Sequence, residues 1–257
     1  MSRTDYILQV KDISKNFGGL QAINRLSFQV EKGQIFSVIG PNGAGKTTAI
    51  NLITGVYAPT SGEMYFEGRK LSKKRPYQVA LMGIARTFQN VQMFNHMTVR
   101  ENVMVGLHTK SRCGFLRCLL HTPLVMKEEK IIREKTEEVL GLLGLASKAD
   151  QLAASLAYGD QKRLEIARSL ATEPRLLFLD EPVAGLNLQE TEQMAHTILN
   201  IRARGITIVL VEHDMNLVMG ISNTITVLNY GEKIAEGSSA EIQNHPKVIE
   251  AYLGKEF

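Results

Sequence analysis

Hydrophobic residues in this chain cluster in short runs, and the spacing within each run distinguishes strands from helices. Six short runs rich in apolar residues predict strands, at residues 7–10, 26–30, 35–39, 176–179, 206–211 and 224–228. Apolar residues recur at helical spacing after position 46 and again over 189–204, which predicts two helices that pack one face against a core. Apolar strands that alternate with such helices predict an α/β fold around a mostly parallel sheet.

The middle of the chain has a different pattern. Between about residues 97 and 152 the β-branched runs disappear, and a charged stretch at 127–138 precedes apolar residues at Val139, Leu142 and Leu143. This pattern predicts a mostly helical insert in the α/β core.

The composition narrows the class of protein. Of 257 residues, 44% are hydrophobic and 22% are charged, as in a soluble globular protein, which excludes a disordered or collagen-like chain. A chain of this length folds as one large domain or two small ones. The formal net charge of +4 is spread along the sequence and is too weak a signal for a nucleic-acid-binding surface.

Cysteine usage and the apolar runs indicate the compartment. The two cysteines, Cys113 and Cys118, have no metal-ligand spacing around them, which is typical of a reducing compartment such as the cytosol. The longest apolar run, at 206–211, is far shorter than the roughly 20 residues of a membrane-spanning helix. Residues 1–9 lack the apolar core of a signal peptide. The sequence therefore predicts a chain that is neither secreted nor inserted in a bilayer.

A glycine-rich loop follows the strand predicted at 35–39 and opens the next helix. Its residues fit the G-x-x-x-x-G-K-[ST] pattern, and they are Gly40, Pro41, Asn42, Gly43, Ala44, Gly45, Lys46, Thr47 and Thr48. The glycines let backbone N–H groups turn toward a phosphate, and the helix N-terminus adds its dipole. Lys46 is expected to reach the β- and γ-phosphates, and the Thr47 hydroxyl to ligate Mg²⁺. The loop therefore predicts binding of a nucleoside triphosphate with Mg²⁺.

Two acidic residues end the apolar strand predicted at 176–179. Asp180 is expected to hold the water shell of Mg²⁺, and Glu181 to polarise an attacking water as a general base. The letters LLFLDE are common at strand ends, so this interpretation depends on the phosphate loop. Together the two segments predict transfer of a phosphoryl group to water.

A further segment, LAYGDQKRLEIAR at 156–168, resembles the LSGGQ motif and following helix of the ATP-binding-cassette (ABC) ATPases. The resemblance implies a second phosphate-binding element, which offers helix N-terminal donors across a dimer interface to ATP held by the other subunit. Its residues at the nucleotide are Ala157, Tyr158, Gly159 and Asp160.

Three single residues match other motifs of the same family. Gln89 matches the Q-loop glutamine that touches Mg²⁺, His213 the switch histidine that contacts the γ-phosphate, and Phe17 the aromatic residue that stacks on adenine. Taken singly, each has an ordinary structural explanation as a surface, capping or core residue. Their order and spacing around Lys46 and Asp180 favour the ABC interpretation, with Glu181 and His213 as the catalytic residues and ATP as the substrate.

The resemblance extends over about residues 7–253 and implies the domain organisation. It implies a P-loop NTPase core, a mostly parallel sheet with an antiparallel N-terminal β subdomain, plus an α-helical subdomain. We expect a single nucleotide-binding domain over 1–257, with the ATPase core at 1–96 and 153–257 and the helical subdomain at about 97–152.

Within the family, segments such as RTFQNVQMFNHMTVRENVMVG and VEHDMNLVMGIS resemble the longer ATP-binding subunit of the branched-chain amino acid uptake system. This closer resemblance implies an importer in which two ATP-binding subunits drive two membrane permeases supplied by an external substrate-binding protein. The subunit is then expected at the cytoplasmic face of the inner membrane, bound peripherally, without a nucleic-acid partner.

Two positions depart from the family pattern. Ala157 stands where Ser is usual, which removes a hydroxyl contact to the γ-phosphate, and Asn187 stands where Asp is usual at the dimer seam. Both changes leave open how strongly a homodimer hydrolyses ATP, and they favour the hypothesis of a pair with a second, different ATPase chain. The alternatives are an ABC-type ATPase that acts outside transport and an ATP-binding subunit with weak hydrolysis.

Two surfaces have competing explanations. Residues 107–127 contain Arg112 and Arg117 and either pack on the helical insert or contact a permease or anionic lipid. The apolar residues of 90–103 either belong to the core or form a groove for a permease helix.

Overall fold

The computed structural model describes residues 6–87, 92–108 and 123–253. Within these ranges the chain forms two β-sheets with helices around them, which confirms the predicted α/β class. The strands are β1 (Tyr6–Phe17), β2 (Leu20–Glu31), β3 (Ile35–Ile39), β4 (Ser61–Phe66), β5 (Arg69–Lys70), β6 (Ile84–Arg86), β7 (Leu176–Asp180), β8 (Thr207–Val211), β9 (Thr224–Asn229) and β10 (Glu232–Gly237). The helices are α1 (Lys46–Ile53), α2 (Pro76–Leu81), α3 (Val99–His108), α4 (Pro123–Leu142), α5 (Tyr158–Ala171), α6 (Leu188–Ala203), α7 (Met215–Ile221), α8 (Ser239–Gln243) and α9 (Pro246–Leu253).

The larger sheet has the strand order β10-β9-β3-β8-β7-β6 and is parallel except for β10 at one edge. Every residue of β3, β7 and β8 is buried, as the continuous apolar runs predicted. Because parallel strands end at the same edge of the sheet, the segments after β3, β7 and β8 meet there. That edge positions the phosphate loop next to Glu181 and His213.

The smaller sheet is antiparallel, with the order β2-β1-β4-β5. Its first two strands were predicted, although both extend further than the apolar runs. Its other two strands follow α1 in the chain, so the antiparallel sheet is built from segments on both sides of the phosphate loop. These strands, like β6 and β10, were not predicted individually, because they are short or interrupted by charged residues.

The chain enters and leaves the helical segment at adjacent points. The Val99 amide donates to the Gln151 carbonyl (2.9 Å), and the Ala153 amide donates to the Met97 carbonyl (3.0 Å). Between these points, α3 and α4 contribute buried residues to the same hydrophobic core as the parallel sheet. The description of 97–152 as a subdomain stays a prediction, and most of the segment 107–127 lies outside the described residues.

Only some of the apolar residues in the groove predicted along 90–103 are exposed. Val99 and Val103 are fully buried, so core packing explains these two residues. Phe94 is exposed, and the guanidinium of Arg168 lies 4.8 Å from the centre of its ring. A permease-binding groove at this position stays a prediction.

In the three ranges that the structure describes, none of the helices has the length and apolar character needed to cross a membrane.

Candidate active site

The phosphate loop is shaped by glycines that contact the neighbouring strands. Gly40 has φ +150°, and a Cβ there would lie 2.1 Å from the carbonyl oxygen of Leu228 in β9. Gly45 has φ +101°, and a Cβ there would lie 2.8 Å from Cδ1 of Ile23 in β2. Only glycine fits either position, which is the physical reason why the pattern has glycine at both positions, five residues apart.

Lys46 turns its side chain back into the loop. Its Nζ donates to the carbonyl oxygens of Gly40 (2.7 Å) and Pro41 (3.1 Å). Burial lowers the pKa of Lys46, and the nearby carboxylates of Glu181 and Asp180 act in the opposite direction. The structure therefore brings the loop lysine and both predicted acids together.

Asp180 is buried at the end of β7 and is paired with an arginine that the sequence analysis missed. Its Oδ2 accepts from Nη2 of Arg86 (2.8 Å), and Nη1 of Arg86 donates to Asn51 in α1 (2.5 Å). The backbone N–H of Asp180 donates to the hydroxyl of Thr87 (3.2 Å). This network joins β6, β7 and the helix that follows the phosphate loop, and it fixes the Asp180 carboxylate.

Glu181 and His213 lie side by side beyond the strand ends. Nδ1 of His213 is 4.0 Å from Oε1 of Glu181, and the histidine side chain is 62% exposed whereas the glutamate is 22% exposed. Glu181 has φ +51°, a left-handed conformation that non-glycine residues rarely adopt. Its N–H donates to the Val211 carbonyl (2.9 Å), and its own carbonyl accepts from Nζ of Lys162 (3.1 Å). The surrounding structure thus holds Glu181 in an unfavourable conformation.

The C-terminal helix α9 also reaches this site. Tyr252 lines a cavity together with residues of the loop and both predicted catalytic residues, namely Gly40, Pro41, Asn42, Glu181 and His213. Burial raises the pKa of Tyr252, and a hydrogen bond from the Gly40 backbone N–H acts in the opposite direction. Tyr252 was not among the predicted site residues, because only the fold brings the end of the chain to the loop.

The LAYGD segment forms the start of α5. Ala157 is the N-cap, and Tyr158 is 46% exposed. Asp160 is buried and pairs with Lys148 and with Arg163 (3.0 Å). None of the four predicted ATP contacts in this segment lines the described cavity that contains Glu181 and His213. Their contact with a nucleotide held by another subunit stays a prediction.

Phe17 ends β1 and is 42% exposed. Its ring meets the edge of Tyr57 with centroids 5.2 Å apart, and Nζ of Lys15 lies 5.0 Å from its centroid. An exposed ring held in this way suits stacking on a base, and that role stays a prediction. The other expected contact at the nucleotide, Gln89, lies outside the described residues.

Asn187, which replaces the usual Asp, begins α6. Its side-chain oxygen accepts from the Glu190 N–H (3.0 Å), and the Glu190 carboxylate accepts from the Asn187 N–H (3.0 Å). This reciprocal pair is a capping box, so the amide stabilises the helix N-terminus in place of a carboxylate.

Two family comparisons agree with this geometry. Residues 23–184 match the ABC transporter family, and residues 232–257 match a family described as branched-chain amino acid ATP-binding cassette transporter. LivG of Salmonella typhimurium, a high-affinity branched-chain amino acid transport ATP-binding protein, is 45% identical over 97% of this chain and 98% of its own length. BraF of Pseudomonas aeruginosa, which has the same description, is 44% identical with the same coverage.

Solved structures resemble the fold over nearly the whole chain. An ATP-binding cassette of an ABC transporter in its ADP conformation superposes with a TM-score of 0.85 at 35% identity, covering 97% of this chain and 99% of that one. A dimeric ATP-binding cassette bound to ADP and phosphate superposes with a TM-score of 0.76 at 25% identity, covering 90% of this chain and 98% of that one.

Proposed function

Because the chain belongs to the ABC transporter ATPases, we propose that it binds and hydrolyses ATP to drive an importer of branched-chain amino acids. The observation that carries the ATPase part is the meeting of Lys46, Glu181 and His213 at one edge of the parallel sheet. The transport part is supported by relatives described as branched-chain amino acid transport ATP-binding proteins.

ATP binding requires Lys46 to exchange its partners. Its ammonium group now donates to the carbonyls of Gly40 and Pro41, and the β- and γ-phosphate oxygens of ATP are stronger, charged acceptors. The backbone N–H groups at the start of α1 then face the phosphates. Phe17 provides the surface on which adenine stacks.

Mg²⁺ would be held by the Thr47 hydroxyl and the Asp180 carboxylate, with Gln89 as a further ligand. The residues fit this ion, because the Asp180 carboxylate is fixed by Arg86 and lies close enough to Lys46 to affect its pKa. The described residues contain no cluster of three or more His, Cys, Asp or Glu that could hold a metal. Phosphate oxygens and water would complete the shell, as is usual for Mg²⁺. When bound, Mg²⁺ neutralises charge on the phosphate oxygens.

Hydrolysis is assigned to Glu181 and His213. Glu181 takes a proton from the attacking water as that water approaches the γ-phosphate. His213, 4.0 Å from the same carboxylate and largely exposed, donates a hydrogen bond to the γ-phosphate. Glu181 therefore acts on the attacking water, and His213 acts on the phosphate that this water attacks.

Coupling to transport requires a second ATP-binding subunit. The start of α5, residues 157–160, then faces the ATP held at Lys46 of the opposite subunit, and two ATP molecules are enclosed between the chains. ATP drives this closure only to the extent that it binds the closed state more tightly than the open one. Asn187 and Ala157 favour a pair with a different ATPase chain.

The proposed partners define the location of the subunit. It binds two membrane permeases from the cytoplasmic side, peripherally, and an external substrate-binding protein delivers the amino acid to them. No nucleic-acid partner is proposed, because the net charge of +4 is dispersed along the sequence.

Capture of the tagged chain from membranes in mild detergent tests this assembly. We expect mass spectrometry to identify two polytopic permeases and a second, short ATPase chain in the captured complex. A complex that contains soluble proteins alone would reject the transport function and leave the ATP chemistry intact.

A second candidate function is an ATP-binding subunit with weak hydrolysis. Ala157 favours it, because alanine cannot give the hydroxyl contact that Ser gives in the LSGGQ motif. Turnover of the purified chain with and without its partner ATPase separates the two functions.

A further inference from the structure

One buried carboxylate contacts both segments that carry the proposed catalytic residues. Glu212 follows β8 directly and is fully buried. Its Oε1 accepts from the N–H of Val183, two residues after Glu181, at 3.0 Å. Its Oε2 accepts from the N–H groups of His213 (2.9 Å) and Asp214 (3.4 Å). A single side chain thus joins the segment after β7 to the segment after β8.

These hydrogen bonds act next to strained backbone. Glu181 has φ +51°, and such a conformation persists only where the surrounding structure determines it. Bonds to Val211 and Lys162 hold the backbone of Glu181 itself, and the Val183–Glu212 bond holds the chain immediately after it. Glu212 therefore restrains the direction in which the Glu181 side chain leaves the strand.

The histidine is restrained by the same carboxylate. Nδ1 of His213 lies 3.7 Å from Oε2 of Glu212 and 4.0 Å from Oε1 of Glu181. The imidazole is thus placed between a fully buried carboxylate and the proposed catalytic one. Its backbone N–H is bonded to the buried carboxylate as well, so backbone and ring are both positioned relative to Glu212.

A carboxylate suits this place for a chemical reason. Burial raises the pKa of Glu212, and the N–H groups of Val183, His213 and Asp214 oppose that rise by donating to its oxygens. Two acceptor oxygens are needed to reach both segments, and an amide side chain has one. A neutral isostere would therefore leave one segment without its acceptor.

We propose that Glu212 is a positioning residue for ATP hydrolysis, which sets the spacing between the Glu181 carboxylate and the His213 imidazole. The inference rests on the proposed function, in which these two groups act on the reacting water and phosphate. A displacement of about 1 Å at such groups lowers turnover by as much as about 100-fold. ATP affinity is expected to stay unchanged, because the hydrogen bonds of Glu212 go to segments other than the phosphate loop.

Steady-state ATP hydrolysis by the Glu212→Gln chain, in complex with its partner subunits, tests the proposal. We expect kcat to fall at least about tenfold and KM for ATP to stay within about twofold of wild type. The matched control is Glu241→Gln, whose carboxylate accepts from Ser238 in the capping box of α8. This control should keep the wild-type kcat.

Two further variants separate positioning from general stability. Glu212→Asp keeps the charge, but its side chain is one methylene shorter. It should keep the hydrogen bonds from the N–H groups of His213 and Asp214 and lose the one from Val183, with a similar loss of kcat. In a Glu181→Gln background, Glu212→Gln should cost a smaller fraction of the remaining turnover than it costs the wild-type chain, because one of the two groups that it positions is already disabled.

Wild-type kcat in both Glu212 variants, or an equal fractional loss in the Glu181→Gln background, would overturn the positioning role. A wild-type chain that fails to hydrolyse ATP would instead overturn the proposed function.

Discussion

Nδ1 of His213 lies 4.0 Å from Oε1 of Glu181, although the two residues belong to different loops of the sheet edge. The pairing follows from the parallel register of β7 and β8, in which Asp180 is paired with Val211. The carboxyl ends of these strands therefore deliver the acid and the histidine to the same place. This position is the basis for the roles proposed for the two residues, and substitutions in the site test the proposed mechanism.

Glu181→Gln should separate ATP binding from hydrolysis. The amide keeps the size of the side chain but cannot take a proton from water, so we expect turnover to fall by at least about 100-fold. Because ATP is no longer consumed, the ATP-bound complex should persist as a closed dimer in gel filtration. Glu192→Gln, an exposed position on α6, is the matched control and should behave as wild type. A monomer at saturating ATP would contradict this mechanism.

Lys46→Ala should weaken ATP binding by at least about tenfold and abolish turnover. The lysine is placed inside the loop, where its charge acts directly on the phosphates. Lys130→Ala, at a lysine on α4 whose side chain is 77% exposed, is the control and should bind ATP as wild type does. Titration with a fluorescent ATP analogue measures both affinities. Equal ATP affinities in the two variants would mean that Lys46 does not contact the phosphates.

Arg86→Ala should destabilise the fold strongly. Arg86 and Asp180 form a buried ion pair at 2.8 Å, and removal of the cation leaves the carboxylate uncompensated. We expect the free energy of unfolding to fall by about 3–5 kcal/mol in urea denaturation. Lys70→Ala removes an exposed ion pair with Glu63 and should have no measurable effect. A similar small change in both variants would mean that Arg86 does not hold Asp180 in place.

Asn187→Ala should lose the cap of α6, whereas Asn187→Asp should keep it. Both Asn and Asp can accept the Glu190 N–H, and alanine cannot. The alanine variant should lose about 1 kcal/mol of stability, which lowers Tm by about 2–4 °C for a chain of this size. Thermal unfolding of the two variants side by side measures how much the cap stabilises the protein. Unchanged Tm in Asn187→Ala would show that the cap contributes nothing.

The elements that the sequence predicted well are those set by local pattern. The phosphate loop was predicted with its strand and helix, because its residues form a continuous pattern from Gly40 to Thr48 directly after an apolar run. The buried strands β3, β7 and β8 were predicted because each is a continuous apolar run.

What the sequence did not predict depends on which strands become neighbours. Arg86 pairs with Asp180 because β6 lies beside β7, and Glu212 reaches Val183 because β8 lies beside β7. Tyr252 comes to the loop from the far end of the chain. Such contacts have no local pattern, since neither partner alone differs from residues of its type elsewhere in the chain.

Transport of radiolabelled leucine in proteoliposomes tests the central claim most directly. The vesicles contain this chain, the permeases and the second ATPase chain that co-purify with it, and their binding protein. We predict ATP-dependent uptake with the wild-type chain and none with Glu181→Gln, which still binds ATP. Uptake at the same rate with both chains would contradict the account, and so would a wild-type chain that hydrolyses ATP without moving leucine.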